Sequence, residues 1–403
     1  MSNDLLLSRT QAPDPPQTTG DFTASRGGPF HVLQTRLGLL NADGLNTGRR
    51  IVVFIAVAWG IPFMLALLDS LPAGGAGSYL RDMGVWAMSF VAIGAFVLAD
   101  EQVEDGLRAC HRQFLSAQII APASKRQASD ALRHSLRQRD SKLAETIFLA
   151  AAILAALLYW IGLVHSPSTS WAVIVGSQGN RITPAGWWSV IVSVPLFWFL
   201  LLRVLWRHLV WSQLLRRMAK LELRLVATHP DGMGGLAFVS EYPNAYMAYV
   251  FGVSAVVAVT LGRHFDMETL NSTTLTVAMA SWLVLVLALF AHPLAAFSKP
   301  LTDLKAATIA ALSGHATHYQ RLAERKLLGR NVVAGNDDEV ATEQEIADPS
   351  KLLDVAKKLS TFLVNRKAVL PIGVAALLPF ALEGATRLPV KDISSILKEL
   401  LLI

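Results

Sequence analysis

Charge is scarce in this sequence. Asp, Glu, Lys and Arg make up 16% of its 403 residues, where a typical soluble chain carries about 25%. A disordered chain needs low hydrophobicity and high net charge, so that class is excluded, and an ordinary soluble enzyme is disfavoured. Cysteine is scarcer still. The single one, Cys110, rules out a disulfide framework and any multi-cysteine zinc or iron–sulfur centre. Enzyme signatures are missing as well: the chain has no Gly-x-Ser-x-Gly elbow, no His-Glu-x-x-His and no phosphate loop ending in Gly-Lys-Ser/Thr. No internal repeat is visible, so the inverted-repeat signature of many transporters is missing.

What the chain has instead is apolar residues, 53% of the total, gathered into long runs. A helix needs about 20 mostly apolar residues to cross a hydrocarbon core of about 30 Å. Six segments satisfy this: 51–71, 83–99, 145–164, 186–206, 245–261 and 275–297. A seventh stretch, 368–382, is short and holds Pro371 and Pro379; it is a thin span, a re-entrant hairpin or an interfacial segment. The expected fold is therefore all-α: a polytopic transmembrane helix bundle of six spans over 51–298, plus a seventh span or re-entrant C-terminal segment within 368–403.

Basic residues give the orientation. Thirty of the 36 Lys and Arg residues lie in the segments before span one and after spans two, four and six. Three lie in the other loops, and three in the C-terminal tail. The basic side is expected to be cytoplasmic, with the N-terminus inside. The net charge of +6 then calls for no nucleic acid. It is the topology signature, together with attraction to anionic lipid at the cytoplasmic face. Residues 1–28, with their Pro- and Gln-rich run, read as a disordered tail that is not a signal peptide, and 29–50 as a juxtamembrane segment. Helical extensions are expected over 100–144, broken near Pro122, over 207–244, and over 299–367, where the helical pattern runs to about Leu328 and resumes at Pro349.

The most distinctive string is Thr228-His-Pro-Asp-Gly-Met-Gly-Gly-Leu-Ala-Phe238. His229 and Asp231 can bind a metal or relay a proton. Gly234 and Gly235, with Gly232, can turn backbone N–H groups toward a phosphate or lipid headgroup. Against both stands a tight helix–turn–helix corner in which Asp231 caps the turn. The His-Pro-Asp triplet of J-domain co-chaperones is rejected as a parallel, because there it joins two soluble helices.

The chain resembles a family of uncharacterised bacterial polytopic inner-membrane proteins along nearly its whole length. The likeness rests on Trp59-Gly-Ile-Pro62, Leu80-Arg-Asp82, Pro184-Ala-Gly-Trp-Trp188, Ser193-Val-Pro-Leu-Phe197, Arg203…Trp206-Arg207…Trp211, His229-Pro-Asp…Gly-Gly-Leu236 and His292-Pro-Leu294. The resemblance implies the topology and an inner-membrane location. It supplies no reaction.

Ionisable residues within spans are costly and therefore informative. Arg203 sits about one turn inside the expected cytoplasmic end of span four. Asp100, Glu101, Glu145, Arg207, His229, Asp231 and His292 lie at the same level. These residues are expected either to form one polar cluster at a cytoplasm-facing vestibule or to be separate boundary charges. Pro62, Pro195 and Pro293 free carbonyls that would line a path in a channel and set shape in a closed bundle. No cofactor, metal or catalytic residue is expected. Three function classes stand: a channel or transporter of ions or small solutes, with or without homo-oligomerisation; a signalling or scaffolding protein acting through its cytoplasmic helices; and a membrane enzyme at the cytoplasmic face. A conduction path predicts that small polar residues such as Ser89, Ser193, Ser254, Thr260 and Ser281 face a pore; a scaffold predicts that they pack dry.

Overall fold

The computed structural model describes residues 22–25, 27–40, 45–69, 75–165, 170–176, 179–264, 272–333 and 348–401. Among them, seven helices are long and apolar enough to cross a membrane: Thr47–Leu68, Met83–Ser116, Pro122–His165, Pro184–Met218, Ala237–Arg263, Ser272–Leu328 and Ala368–Ala385. We number these spans one to seven. The chain is thus an all-α bundle of membrane-crossing helices, and the stretch left undecided by sequence is the seventh. Span seven keeps its helix despite Pro371 and Pro379, because it is packed on several sides. Ile372, Ala376, Leu377 and Phe380 are all buried, and Phe380 lies 6.3 Å, ring to ring, from Trp282 of span six.

Spans two and five form the centre. Small residues let their backbones approach, as is usual between membrane helices: a Cβ on Gly252 would meet that of Ala95 at 2.9 Å and the Cα of Ala92 at 3.2 Å. Span three lies at the edge. Its apolar part, Lys142–His165, buries little beyond Ala144, Ala152 and Ala156, while Ile153, Leu154, Leu157 and Leu158 are exposed. In water such a face would be a liability; against lipid tails it is at rest.

The basic end of the bundle, where most Lys and Arg residues lie, carries the long polar connections. Span two runs on to Ser116, and a short 3-10 turn at Pro122–Ser124 starts the next helix, as the proline predicts. Span six continues as a helix to Leu328, where Gly329 caps it at φ +76° with Arg325 and Lys326 in its last turn. Helix Ser350–Lys357 follows. The intervening loop lies outside the described residues. At the opposite end, a two-stranded antiparallel hairpin, Val173–Gly176 with Gly179–Ile182, joins spans three and four.

Two expectations are corrected. Residues 1–21 of the expected disordered tail lie outside the described residues, but its end is packed: Phe22, Ala24 and Ser25 are buried. Phe22 brings an aromatic ring to the bundle and meets Trp211 at 5.0 Å, ring to ring. Of the helical extensions expected over 207–244, the one continuing span four, which His229-Pro230 would end, stops already at Met218. Beyond it Leu221, Leu223 and Leu225 alternate with polar residues, a period of two that suits extended chain. Here the chain pairs with residues 119–121 through Ala121 N–H to Glu222 O (2.9 Å) and Arg224 N–H to Ile119 O (2.7 Å).

Candidate functional site: a buried ion cluster under the N-terminal segment

Arg203 and Arg207 stand four residues apart on span four and so share one face. Both are buried, and that face points at Asp100 of span two, which is 3% exposed. Arg207 Nη1 donates to Asp100 Oδ1. Arg203 Nη1 lies 3.7 Å from Oδ2. Arg50, from the first turn of span one and 1% exposed, donates its Nη2 to the same oxygen at 2.5 Å. Glu145, in the first turn of the helix Lys142–His165 of span three, lies 3.6 Å from Arg203 Nε. Three guanidiniums and two carboxylates therefore meet where four spans converge. Burial of charge is tolerated only when the geometry pairs it, and Asp100 supplies most of the pairing.

The N-terminal segment closes over this cluster. Ser25 donates its hydroxyl to the Asp100 carbonyl at 2.6 Å and its N–H to Glu104 Oε2 at 2.6 Å. Arg207 returns two bonds of 3.2 Å, to Ser25 Oγ and to its carbonyl. Arg139, held by both carboxylate oxygens of Asp140 at 2.7 and 2.8 Å, reaches the Thr23 hydroxyl at 2.5 Å and its carbonyl. The segment then turns into a short helix, Pro29–Arg36. Its Phe30 N–H donates to Glu145 Oε2 at 2.8 Å, a carboxylate at a helix N-terminus where the dipole favours it. Gly28 makes this possible. It holds φ +85°, and a Cβ there would lie 2.5 Å from Glu145 Oε1. The Phe30 ring lies under the Arg203 guanidinium, 5.0 Å from its carbon, within cation–π range.

His31, one residue further, is held below its ordinary pKa, first by burial and then by the positive charge of Arg203, Arg207, Arg139 and Arg50. Arg50 keeps two buried nitrogens, Nε and Nη1, without a hydrogen-bond partner among the described residues.

Of the two alternatives the sequence left open, one polar cluster or separate boundary charges, each holds for some of the residues. Arg203, Arg207, Glu145 and Asp100 do come together. Glu101 is exposed. His229 and Asp231 form a separate corner after span four. Asp231 accepts N–H bonds from Met233 (2.8 Å), Gly235 (3.1 Å) and Ala237 (3.1 Å), and its Oδ1 lies 2.8 Å from His229 Nδ1. Burial pushes the Asp231 carboxyl up, but those bonds outweigh it and hold the pKa below its ordinary value. Gly232, Gly234 and Gly235 take φ of +67°, +69° and +95°, the conformation that lets the chain wrap around the carboxylate. The Met233 and Gly235 N–H groups that would have cradled a phosphate are thus occupied by Asp231. His292 lies exposed in the last turn of the helix Ser272–Leu294. Among the described residues, no group of three or more His, Cys, Asp or Glu is placed to hold a metal.

A second cluster lies at the opposite end, foreshadowed in the sequence only by Pro62 and Pro195. Spans one, two and four each carry a π-helical turn there: Ala56–Gly60, Trp86–Ala92 and Ser189–Ser193. Such turns widen the helix and free carbonyls, and Pro62, which lacks an N–H, frees that of Ala58 four residues earlier. All three freed carbonyls of span one find neutral donors. Val57 O accepts from Trp188 Nε1 (2.9 Å), Ala58 O from Ser193 Oγ (2.7 Å) and Trp59 O from the Tyr79 hydroxyl (2.8 Å). Trp59 stacks on Phe63 at 5.4 Å and meets Trp86 at 4.8 Å. Asp82 ties this end together by capping span two through Gly84 N–H (2.8 Å), accepting from Trp171 Nε1 (2.9 Å) and pairing with Arg263 of span five.

Compared with family models, curated proteins and solved structures, the chain matches none.

Proposed function

We propose that this is a bacterial inner-membrane protein with a cytoplasmic N-terminus, acting as a signalling or scaffolding element through the helices at its basic face. The distribution of Lys and Arg supports the orientation, and the resemblance to an uncharacterised inner-membrane family agrees with it. The observation that carries the scaffold reading is the fate of the small polar residues a conduction path would use. Ser193 is fully buried and spends its hydroxyl on Ala58 O. Ser254, equally buried, accepts from Trp282 Nε1 at 2.8 Å. Ser89 is buried, Thr260 donates to Val256 O within its own helix at 2.7 Å, and Ser281 lies on the outer surface. Ser193, Ser254 and Thr260 thus act as helix-to-helix or local bonds.

The polar investment is instead at the basic end, on the N-terminal segment. The test is ion and small-solute flux in liposomes containing the purified full chain. Flux no greater than in protein-free liposomes is expected; robust flux that Asp100→Asn alters would overturn the reading.

A channel or transporter of ions or small solutes is the second reading, favoured by Phe22–Ser25 filling the basic mouth of the bundle. It predicts that removing residues 1–28 opens flux the full chain lacks.

A further inference from the structure

After span seven the chain reverses into a helix, Val390–Leu401, that runs back along the bundle. Its depth is fixed at two points. Near its start, Ile393 Cδ1 lies 3.6 Å from where a Cβ on Gly384 would be, beside Leu275 at the beginning of span six. Near its end, Leu401 Cδ2 lies 3.0 Å from the corresponding point on Gly373, beside Leu283. Leu283 is the middle residue of Ser272–Leu294, the membrane-level part of span six. The helix therefore descends from the end opposite the basic one to about the middle of the bundle. Ile393 and Ile396 are buried against spans six and seven. The other face carries Lys391, Ser394, Ser395, Lys398 and Glu399, all exposed.

That face is in the wrong place for lipid. Lys398 is one helical turn from Leu401, so it lies about 5 Å from the level of Leu283. The nearer boundary of the hydrocarbon is about 15 Å from the midplane, beyond the reach of a snorkelling four-carbon stem from there. Charged side chains at this depth are stable only when paired or hydrated. Among the described residues neither Lys398 nor Glu399 forms an ion pair. We propose that a second copy of this chain covers the face, with Lys398 of each copy against Glu399 of its neighbour.

The charge pattern fits that occupant. Copies of one membrane protein share a topology, so closed symmetry places their axis along the bilayer normal, and each residue meets its counterparts at its own depth. Two charges of opposite sign one residue apart differ by about 1.5 Å in height and so can pair reciprocally across such an axis. The same combination recurs seven residues earlier as Lys391 and Asp392, the spacing at which residues of a parallel helix pair return to their seam. Between the two levels, Ser394 and Ser395 are small enough for close approach.

The one cysteine makes the test clean. In a Cys110→Ala background in native membranes, oxidation should link Ser395→Cys into a dimer, while Leu158→Cys, on the lipid-facing side of span three, should not. Lys398→Glu and Glu399→Lys should each lower the linked fraction by roughly tenfold or more through like-charge contact, and the double reversal should restore it. Equal linking at both cysteine positions, or failure of the double reversal to rescue, would overturn the proposal. So would rapid modification of Lys398→Cys by a membrane-impermeant thiol reagent, which would mean that the face lines water rather than a neighbour.

Discussion

At the basic end of the bundle, backbone groups of the N-terminal segment and the Ser25 hydroxyl meet Asp100, Glu104, Arg139, Glu145 and Arg207. At the opposite end, the freed carbonyls of span one meet Trp188, Ser193 and Tyr79. Both ends join spans one, two and four, but with different chemistry. The neutral bonds of the opposite end each concern one donor and one acceptor, and cutting one leaves its neighbours intact. At the basic end one carboxylate, Asp100, contacts all three arginines, with Glu145 beside only Arg203, so the loss of Asp100 strands charge rather than a dipole. The basic end also holds a segment with few covalent constraints, which a change of charge can release.

The largest expected effect breaks the comparison at Asp100. Asp100→Asn leaves Arg50, Arg203 and Arg207 without a full counter-charge in a buried site and should cost about 3–5 kcal/mol, read as a lower unfolding temperature in detergent. A loss no larger than that of a neutral bond would mean that water reaches the cluster. At the opposite end, Ser193→Ala leaves the Ala58 carbonyl without its donor, because Pro62 cannot supply the helical one, and should cost about 1–3 kcal/mol. An unchanged unfolding temperature would show that another donor reaches the Ala58 carbonyl.

Much of this frame was legible in the sequence, and the remainder was hidden for physical reasons. The six longest apolar runs became spans, because the hydrocarbon sets a length that hydropathy reports directly. The seventh was obscured by Pro371 and Pro379, whose lost bonds are tolerated through packing that no local window contains. Arg203, Arg207, Glu145 and Asp100 stood out as charges at one level. Arg50 did not, since an arginine before a span is an ordinary topology signal and its choice of Asp100 is a contact across 50 residues. Ser25 and Glu104 were missed for the same reason. The π turns have no composition of their own; only Pro62 and Pro195 hinted at freed carbonyls. Asp231 was readable as a turn cap from its glycines, and that capping role is the one the geometry gives it.

A smaller effect sharpens the description of the basic end as a coupled network. Glu145→Gln and Arg203→Gln, singly and together, form a double-mutant cycle on groups 3.6 Å apart. Because both also touch the Pro29–Arg36 helix, Glu145 through Phe30 N–H and Arg203 over its ring, a coupling of about 0.5–2 kcal/mol is expected. Strict additivity would reduce the pair to separate boundary charges.

The smallest effect separates the two ends by pH. His31 titrates in the folded chain below its ordinary value of 6.5, so the folded state binds fewer protons than the unfolded one over the interval between the two values. Stability therefore rises with pH across that window. It is intact above 6.5 and declines as pH falls from there to the folded value, where the penalty levels off. The strain falls on the helix beside Arg203 and Arg207, not on the aromatic end, whose bonds to Val57, Ala58 and Trp59 involve no group titrating in that range. Protection factors over residues 29–36, which correct for the intrinsic slowing of exchange in acid, should fall modestly between about pH 7.5 and pH 5.5 while those of residues 56–60 hold. His31→Gln should abolish the difference. Equal loosening of both ends would mean that acid acts on the whole bundle, and the docked helix would then have no pH response of its own.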